Sequence, residues 1–562
     1  MREFEVHPPE TAGKPVVCAV DFGLSCDSED NAPAIMRALA YCRQVDAGIL
    51  RLAPGVYRIK NTDFLPVSGR RDFVIDGCGA ELISATSFFF GVTDCERVTL
   101  QNLTLDVDWQ VMRPANLVRL LSRSGQELEL EFLDEDCPPL DFDIRSLNPV
   151  DPDRLTPGVP GDAEIWLGSG DIAAKWRGAA ENRIGLTCTV PAAAALRPGG
   201  LYILRRIRKR RGAAFYIEDS CHVTVRDNTV YGTFGMVHLV NGHSHHLLFD
   251  HEVIRIRPDS RRFLSSDGDG IHIACSNGYL RIENCDFSGM GDDDVNIHDC
   301  HTLILCAEDA HTLLTENETV GDPGDPLELL RPDFSPTGIR LTLRETGRRE
   351  DGSWFLTTEE LLPEGITEGF LLQNRGYCSD HFIIRRNYFH DHRARGLLLQ
   401  TKDGLVEDNC ICRTQGAGIY IMLETLRGHW YEGTGAGWIT VRNNRIVDCN
   451  CGGWSTCVDM MATLPDNTSA YTPFARIRLE NNLIRSRTKP ACWLSCCDGL
   501  QFCGNRLELP SDPGAAVVLE RCQNEVVADN TVNGIAADNT AVYRARGAHE
   551  RNCLPQYRYF AY

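Results

Sequence analysis

The chain has 562 residues, 43% hydrophobic and 24% charged, which is the balance of a soluble globular protein long enough for several domains or one elongated repeat fold. Its formal net charge of −21 argues against nucleic acid and anionic membranes as partners, and against a polyanionic glycan unless a local basic groove overrides the total. No apolar run approaches the roughly 20 residues of a spanning helix, and Met1–Val6 has no basic segment leading into an apolar one, so a cytoplasmic protein is expected, with export left open.

The N-terminal part predicts a helix over residues 31–45, then strands at 48–52 and 54–59. A helix across the first coil suits the capping of an otherwise open solenoid end. Beyond it a short strand followed by asparagine recurs. The copies are Val98–Leu103, Val223–Asn228, Leu280–Cys285, Ile383–Tyr388, Ile439–Asn444, Ile477–Asn482 and Val526–Thr531. Apolar and polar residues alternate in each, as in a strand with one buried face. The asparagine tolerates the left-handed conformation and can bond in a ladder with its equivalent one coil away.

Two stretches break the repeat. Residues 117–212 contain Glu127–Phe132, which alternates strictly after a Ser124-Gly125 turn, and a Pro/Gly/Asp-rich loop at 148–162. Residues 303–379 contain Ile339–Leu343, a hairpin signal at Asp351-Gly352 and then Trp354–Leu356. The expected architecture is all-β: a right-handed parallel β-helix with two inserted antiparallel, barrel-like β modules. Its parts are an N-terminal cap and first coils (1–116), a first module (117–212), central coils (213–302), a second module (303–379) and C-terminal coils (380–562).

The 24 cysteines are too sparse for a disulfide scaffold. Cys275, Cys285, Cys410, Cys412, Cys449 and Cys451 fall at apolar repeat positions and read as buried, reduced side chains. Cys492, Cys496 and Cys497 lie close together, but no C-x-x-C pair is matched by a second, so no zinc and no other cofactor is expected.

Acid chemistry concentrates between the two insertions. Asp269 and Asp292 are 23 positions apart, near the repeat length, in Ser266–His272 and Gly291–His298. One coil apart, equal positions stack at about 4.7–4.9 Å, which would gather Asp269, Asp292 and Asp293 into one cluster. Adjacent aspartates on a regular strand face opposite ways; Gly289-Met290-Gly291 supplies the bend that presents both. Three crowded carboxylates should raise one pKa, leaving a protonated acid beside ionised neighbours, as cleavage of a glycosidic bond requires. A calcium-binding or merely solvated turn would use the same residues. His272, Asn296 and His298 suit sugar hydroxyls or a structural ladder. Trp430 and Tyr431 suit stacking on a pyranose or burial in a core, with Glu432 able to accept hydroxyl hydrogen bonds. The basic run Arg205, Arg206 and Arg208–Arg211 reads as structural or as a cleft wall.

Asp269-Gly270-Ile271-His272 followed by Asp292-Asp293-x-x-Asn296-x-His298 resembles the paired motifs of the family 110 glycoside hydrolases. Gly428–Gly433 and Arg393–Leu398, which holds Arg395, resemble that family too. The resemblance spans most of the chain. It implies an inverting exo-α-galactosidase acting on terminal α-1,3-linked galactose, and hence a galactose-terminated glycan as partner. It implies catalytic roles for Asp269, Asp292 and Asp293. A similar trio in polygalacturonases suggests Asp292 as general acid, with Asp269 and Asp293 activating water. Asp294 and Asp299 depart from the family pattern and bear on substrate preference. The rivals are a polygalacturonase-like enzyme, whose Gly-His-Gly and Arg-Ile-Lys elements are not found at suitable places, a calcium-dependent lyase or epimerase, and a non-catalytic carbohydrate-binding β-helix.

Overall fold

A computed structural model describes residues 3–111, 113–133, 143–160, 164–166, 176–180, 182–189, 191–207, 212–463, 470–511, 514–537 and 541–545. Successive coils stack their strands in parallel and in register. Two strands of each full coil belong to a sheet that bends round a corner, and the third lies in a separate sheet. That third sheet carries the acids. Its order is Leu65–Ser68, Phe90–Thr93, Gly212–Glu218, Gly235–Asn241, Ile271–Ala274, Val295–His298, Leu397–Gln400, Ile419–Leu426, Val458–Ala462, Cys492–Ser495, Val517–Glu520 and Val542–Ala545. Strict alternation sets its two faces: Ile271, Ile273, Val295, Ile297, Leu397 and Leu399 are wholly buried in one continuous core, each contributing about 1.5–3 kcal/mol relative to exposure.

The helix spans Ala32–Gln44, between Asn31 and Val45 as its caps, with Pro33 in its first turn. It closes the N-terminal end by burying Ala34, Ile35, Ala38, Leu39 and Cys42 in the same core.

The recurring asparagine divides into two roles on consecutive residues. The first residue after the strand takes the left-handed conformation: Asp227, Asn284, Arg386, Asp408, Asn443, Asn481 and Asp529 all have φ between 56° and 58°. The second points inward. Asn387, Asn409, Asn444, Asn482 and Asn505 each donate from Nδ2 to Oδ1 of the next asparagine, ending at Asn530, over 2.9–3.1 Å. Asn409 and Asn505 join this ladder although their segments were not among the copies expected.

Both insertions are antiparallel, as expected. In the first, Ala115–Ser124 pairs with Glu127–Phe132 across the Ser124-Gly125 turn, within an open sheet of seven strands among the described residues. Its ends are the two-residue strand Ile165–Trp166 and Trp176–Ala180, which do not pair with one another. In the second, six strands between His301 and Asn374 close into a barrel, with Pro336–Arg348 and Trp354–Thr358 forming the hairpin at Asp351-Gly352. Its interior is a small aliphatic cluster including Ile304, Leu327, Leu343 and Leu356.

Candidate active site

The acids sit just before two neighbouring strands of the third sheet, where the chain has turned the corner but is not yet extended. Register runs Ile271 with Val295 and His272 with Asn296, and it continues backward through Gly270 N–H donating to Asp293 O and Ile271 N–H to Asp294 O. Asp269 therefore lies beside Asp293, with Asp292 one residue earlier in the turn. One carboxylate oxygen from each of Asp269, Asp292 and Asp293 lies within 4.8 Å of the others. The turn depends on glycine. Gly289 has φ of +74°, and a Cβ on Gly291 would meet Asp267 O at 2.9 Å and Arg205 Nη2 at 3.1 Å.

Each acid has its own basic partner. Asp293 Oδ1 accepts the Arg395 backbone N–H and Oδ2 accepts Arg395 Nη2, both at 2.8 Å. Asp292 Oδ1 accepts Arg393 Nη1 at 2.8 Å, and Arg393 reaches Glu164 of the first insertion at 2.6 Å. Asp269 Oδ2 lies 2.6 Å from His272 Nδ1, and His272 Nε2 lies 3.3 Å from His298 Nε2. Beneath them Asp267 is held by Arg145 at 2.9 Å and by the fully buried Arg205 at 3.0 Å. Arg205 and Arg206 of the basic run are thus structural, Arg206 bonding Asn116; Arg208–Arg211 lie outside the described residues.

These partners separate the acids electrostatically. Burial pushes Asp292 up, but the guanidinium groups of Arg393, Arg205, Arg395 and Arg145 outweigh it and hold the carboxyl down at about 2. Burial also dominates at Asp293, where Arg395 offsets only part of it and the Asp292 and Asp269 carboxylates add to it, pushing the group up to about 8. The cluster therefore holds a proton at neutral pH beside an ionised neighbour. Asp292 is the more open, its side chain 22% exposed against 2% for Asp293.

Asn296 and His298 do project to one face, the outer one, and both are covered. A hairpin folds over them: Ile419–Leu426 continues past the sheet and pairs with Trp430–Glu432, placing Glu424 opposite Glu432. Gly433 N–H donates to Asp299 O and anchors its return. Glu432 accepts Gln400 Nε2 at 2.7 Å and lies 4.0 Å from His298 Nε2. Burial raises its pKa, but His298, His272 and Gln400 more than cancel this, so it is lowered. Glu424 is pushed up to about 7, by burial against the opposing field of Arg395, with Glu432 adding to the rise. Trp430 is 37% exposed near the hairpin tip, on the same strand face as Glu432. Tyr431 faces the other way. Its hydroxyl donates to Glu316 of the second insertion at 2.8 Å and accepts the Gly428 N–H at 2.7 Å, and its ring meets His301 edge-on. The structure places Tyr431 as the tie between hairpin and barrel, facing away from Trp430 and Glu432.

Asp294 and Asp299 do not face a substrate. Asp294 is fully buried inside the coil against His392, 2.6 Å away, and buried Asp299 accepts Ser379 Oγ at 2.7 Å. The extra acids are interior, so they do not add charge to the outer surface around the trio. The residues the motifs did not reveal are Glu164, Asp267, Arg393, Gln400 and Glu424. Glu164 and Glu424 come from a module loop and a strand extension that carry no repeat signal; Arg393 stands two residues before Arg395 in a segment already noted. Chemically, the site offers a shared proton, fixed acceptors, and one aromatic at a rim. Asp269, Asp292 and Asp293 are also oxygen donors spaced for a hard divalent cation.

The family model described as "Right handed beta helix region" matches residues 368–470. A protein named alpha-1,3-galactosidase B from Bacteroides thetaiotaomicron is 25% identical, covering 93% of this chain and 92% of its own length. Alpha-1,3-galactosidase A of Shewanella woodyi is 24% identical over 92% and 91%. This chain is their relative along nearly its whole length. Among solved structures, a Yersinia enterocolitica family 28 exopolygalacturonase aligns over 94% of this chain and 79% of its own, at 12% identity and a TM-score of 0.42.

Proposed function

We propose that the protein is an exo-acting glycoside hydrolase that removes terminal α-1,3-linked galactose from glycans with inversion of configuration. That it is a glycoside hydrolase at all is the coarser statement, supported by galactosidase relatives aligned over 92–93% of the chain. The observation that carries the reaction is the trio Asp269, Asp292 and Asp293, with oxygens within 4.8 Å of one another and carboxyls driven to opposite protonation states.

In this reading the proton that rests on Asp293 in the empty site passes to Asp292 as substrate binds, and Asp292, the more open acid with only Oδ1 engaged by Arg393, delivers it to the leaving oxygen. Asp293, with both oxygens oriented by Arg395, and Asp269, oriented by His272, hold and deprotonate water. Glu432, His298, Asn296 and Trp430 line the sugar side. A second division is favoured by the electrostatics: the empty site keeps its proton on Asp293, which would then be the donor and Asp292 the base. The two are separable. With an aryl galactoside whose leaving group needs no proton, the Asp→Asn variant of the true donor recovers turnover, and that of the base does not.

The separation of the acids bears on stereochemistry. Oxygens within 4.8 Å lie closer than the 6.5–9.5 Å common to inverting pairs and nearer the roughly 5–5.5 Å of retaining ones. Inversion is supported by the family resemblance and by the third acid, which lets Asp269 and Asp293 hold water between them. Proton NMR of the first-formed sugar from an α-1,3-linked galactose disaccharide tests this: initial β-galactose is expected, and initial α-galactose overturns inversion. Release unaffected by EDTA is expected; uronate release, an unsaturated product or no turnover would overturn the galactosidase reading.

A further inference from the structure

A cavity of about 690 Å³ lies beyond the acid turns, and none of Asp269, Asp292 or Asp293 lines it. Its walls are the outer ends of the turns that lead into the site, at Ser288-Gly289 and His390-Asp391, and the first module's loop Arg154–Pro157. The same turns continue to Asp292, three residues beyond Gly289, and to Arg393, two residues beyond Asp391. The volume is within the roughly 300–1,000 Å³ of small-ligand sites.

The charge of this cavity is opposite to that of the chain. Its acids are already engaged: Asp391 by Arg413 at 2.5 Å and His390 at 2.6 Å, and Asp448 by Arg485 at 3.1 Å. His390 is itself clamped between Asp391 and Asp286, the latter at 3.1 Å. Burial lowers its pKa, but these two carboxylates reverse that and raise it to about 9, so it is cationic at neutral pH. Arg154 and Arg255 also line the space, and among the described residues neither guanidinium has a carboxylate partner; Arg255 lies only over the Tyr231 ring, at 5.9 Å. Two arginines without a carboxylate partner among the described residues thus line one hollow in a protein of net charge −21. Apolar surface accompanies them. Phe263 and Ile256 line the cavity, and Leu155 does so while 49% exposed. Tyr388, 38% exposed, stacks on His390 with centroids 4.0 Å apart.

We infer that this cavity is a second carbohydrate-binding site, selective for a sugar that carries an oxyanion, either a carboxylate or a sulfate ester. Arg154 and Arg255 would clamp the anion with the fork geometry that suits planar and tetrahedral oxyanions, and the Phe263 and Leu155 wall would take the apolar face of the ring. The proposal does not depend on the chemistry at the acid trio. If the galactosidase reading holds, the site recognises an anionic unit elsewhere on the glycan being trimmed.

The test is calorimetric titration of the full chain with galactose 6-sulfate, glucuronic acid, galactose and inorganic sulfate, in the wild type and in R154Q/R255Q. One of the anionic sugars should bind at least tenfold tighter than galactose, more weakly at high salt, and at least tenfold more weakly to the variant. Melting temperature and hydrolysis of the neutral α-1,3-galactose disaccharide should be unchanged in the variant. Asp292→Asn should leave this binding intact, so failure of the galactosidase reading and failure of this one are distinguishable. Equal affinity in wild type and variant, no binding at low-millimolar sugar, or inorganic sulfate binding as tightly as the sulfated sugar would each overturn it.

Discussion

The C-terminal and central coils share one backbone but fill the same interior column differently. From Asn387 to Asn530 the column is neutral, each amide satisfying the next at 2.9–3.1 Å. In the central coils it reads Asn228, Glu252 and Cys285, with Glu252 buried against His238 at 3.1 Å. Further buried ion pairs cluster there: Asp294 with His392, and Asp267 with Arg205 and Arg145. Buried pairs of this kind add little stability over apolar packing of the same volume. A β-helix can plainly be built without them, as its own C-terminal coils are. They are concentrated around Asp269, Asp292 and Asp293, the trio proposed to carry the reaction.

The contrast can be broken at graded cost. Asp292→Asn and Asp293→Asn should each lower turnover of the natural linkage by about 10²–10⁴-fold while stability changes by no more than about 1–2 kcal/mol; near-normal rates in either, with melting curves as control, would defeat the assignment. The proton on Asp293 is present below its raised pKa of about 8 and lost above it. If Asp293 is the donor, activity should therefore hold to about pH 8 and fall beyond, whereas a rate still climbing at pH 9 would place Asp293 as the base. Asp294→Ala, leaving His392 without its buried partner, should cost about 3–5 kcal/mol in denaturant unfolding. In the neutral column, Asn444→Ala removes donors to Asn482 Oδ1 and Val406 O. It should cost less, about 1–3 kcal/mol, with turnover unchanged. Tyr431→Phe forfeits the bond to Glu316 and should cost about 0.5–1.5 kcal/mol, with any loss of activity appearing mainly in KM. A Tyr431→Phe enzyme that loses kcat instead would return that hydroxyl to the sugar side.

Much of the architecture was legible because its signals are local and repeated. Alternating strands, left-handed residues after them and the Gly289–Gly291 bend before the acids all follow from backbone sterics and side-chain polarity within a few residues. The neighbourhood of Asp269 and Asp293 follows from near-equal coil lengths. Asp294 and Asp299 were expected to bear on substrate preference, and their interior placement was not legible because one step along an irregular turn moves a side chain from the outside to the core, and no periodicity constrains that step. For Tyr431 the segment alone left pyranose stacking and burial both open, and strand alternation in the hairpin turns it toward Glu316.

By itself the sequence determined the solenoid, the positions of its interruptions and the coil that carries the acids, since each depends on contacts repeated between neighbours. Only the tertiary structure decided which carboxyl is ionised, which arginine serves it, and what closes over the sheet. Those outcomes rest on residues far apart in the chain, Arg205 and Glu164 from one insertion and Glu424 and Glu432 from a strand extension, and on burial. The field at a carboxylate is a sum over everything folded around it.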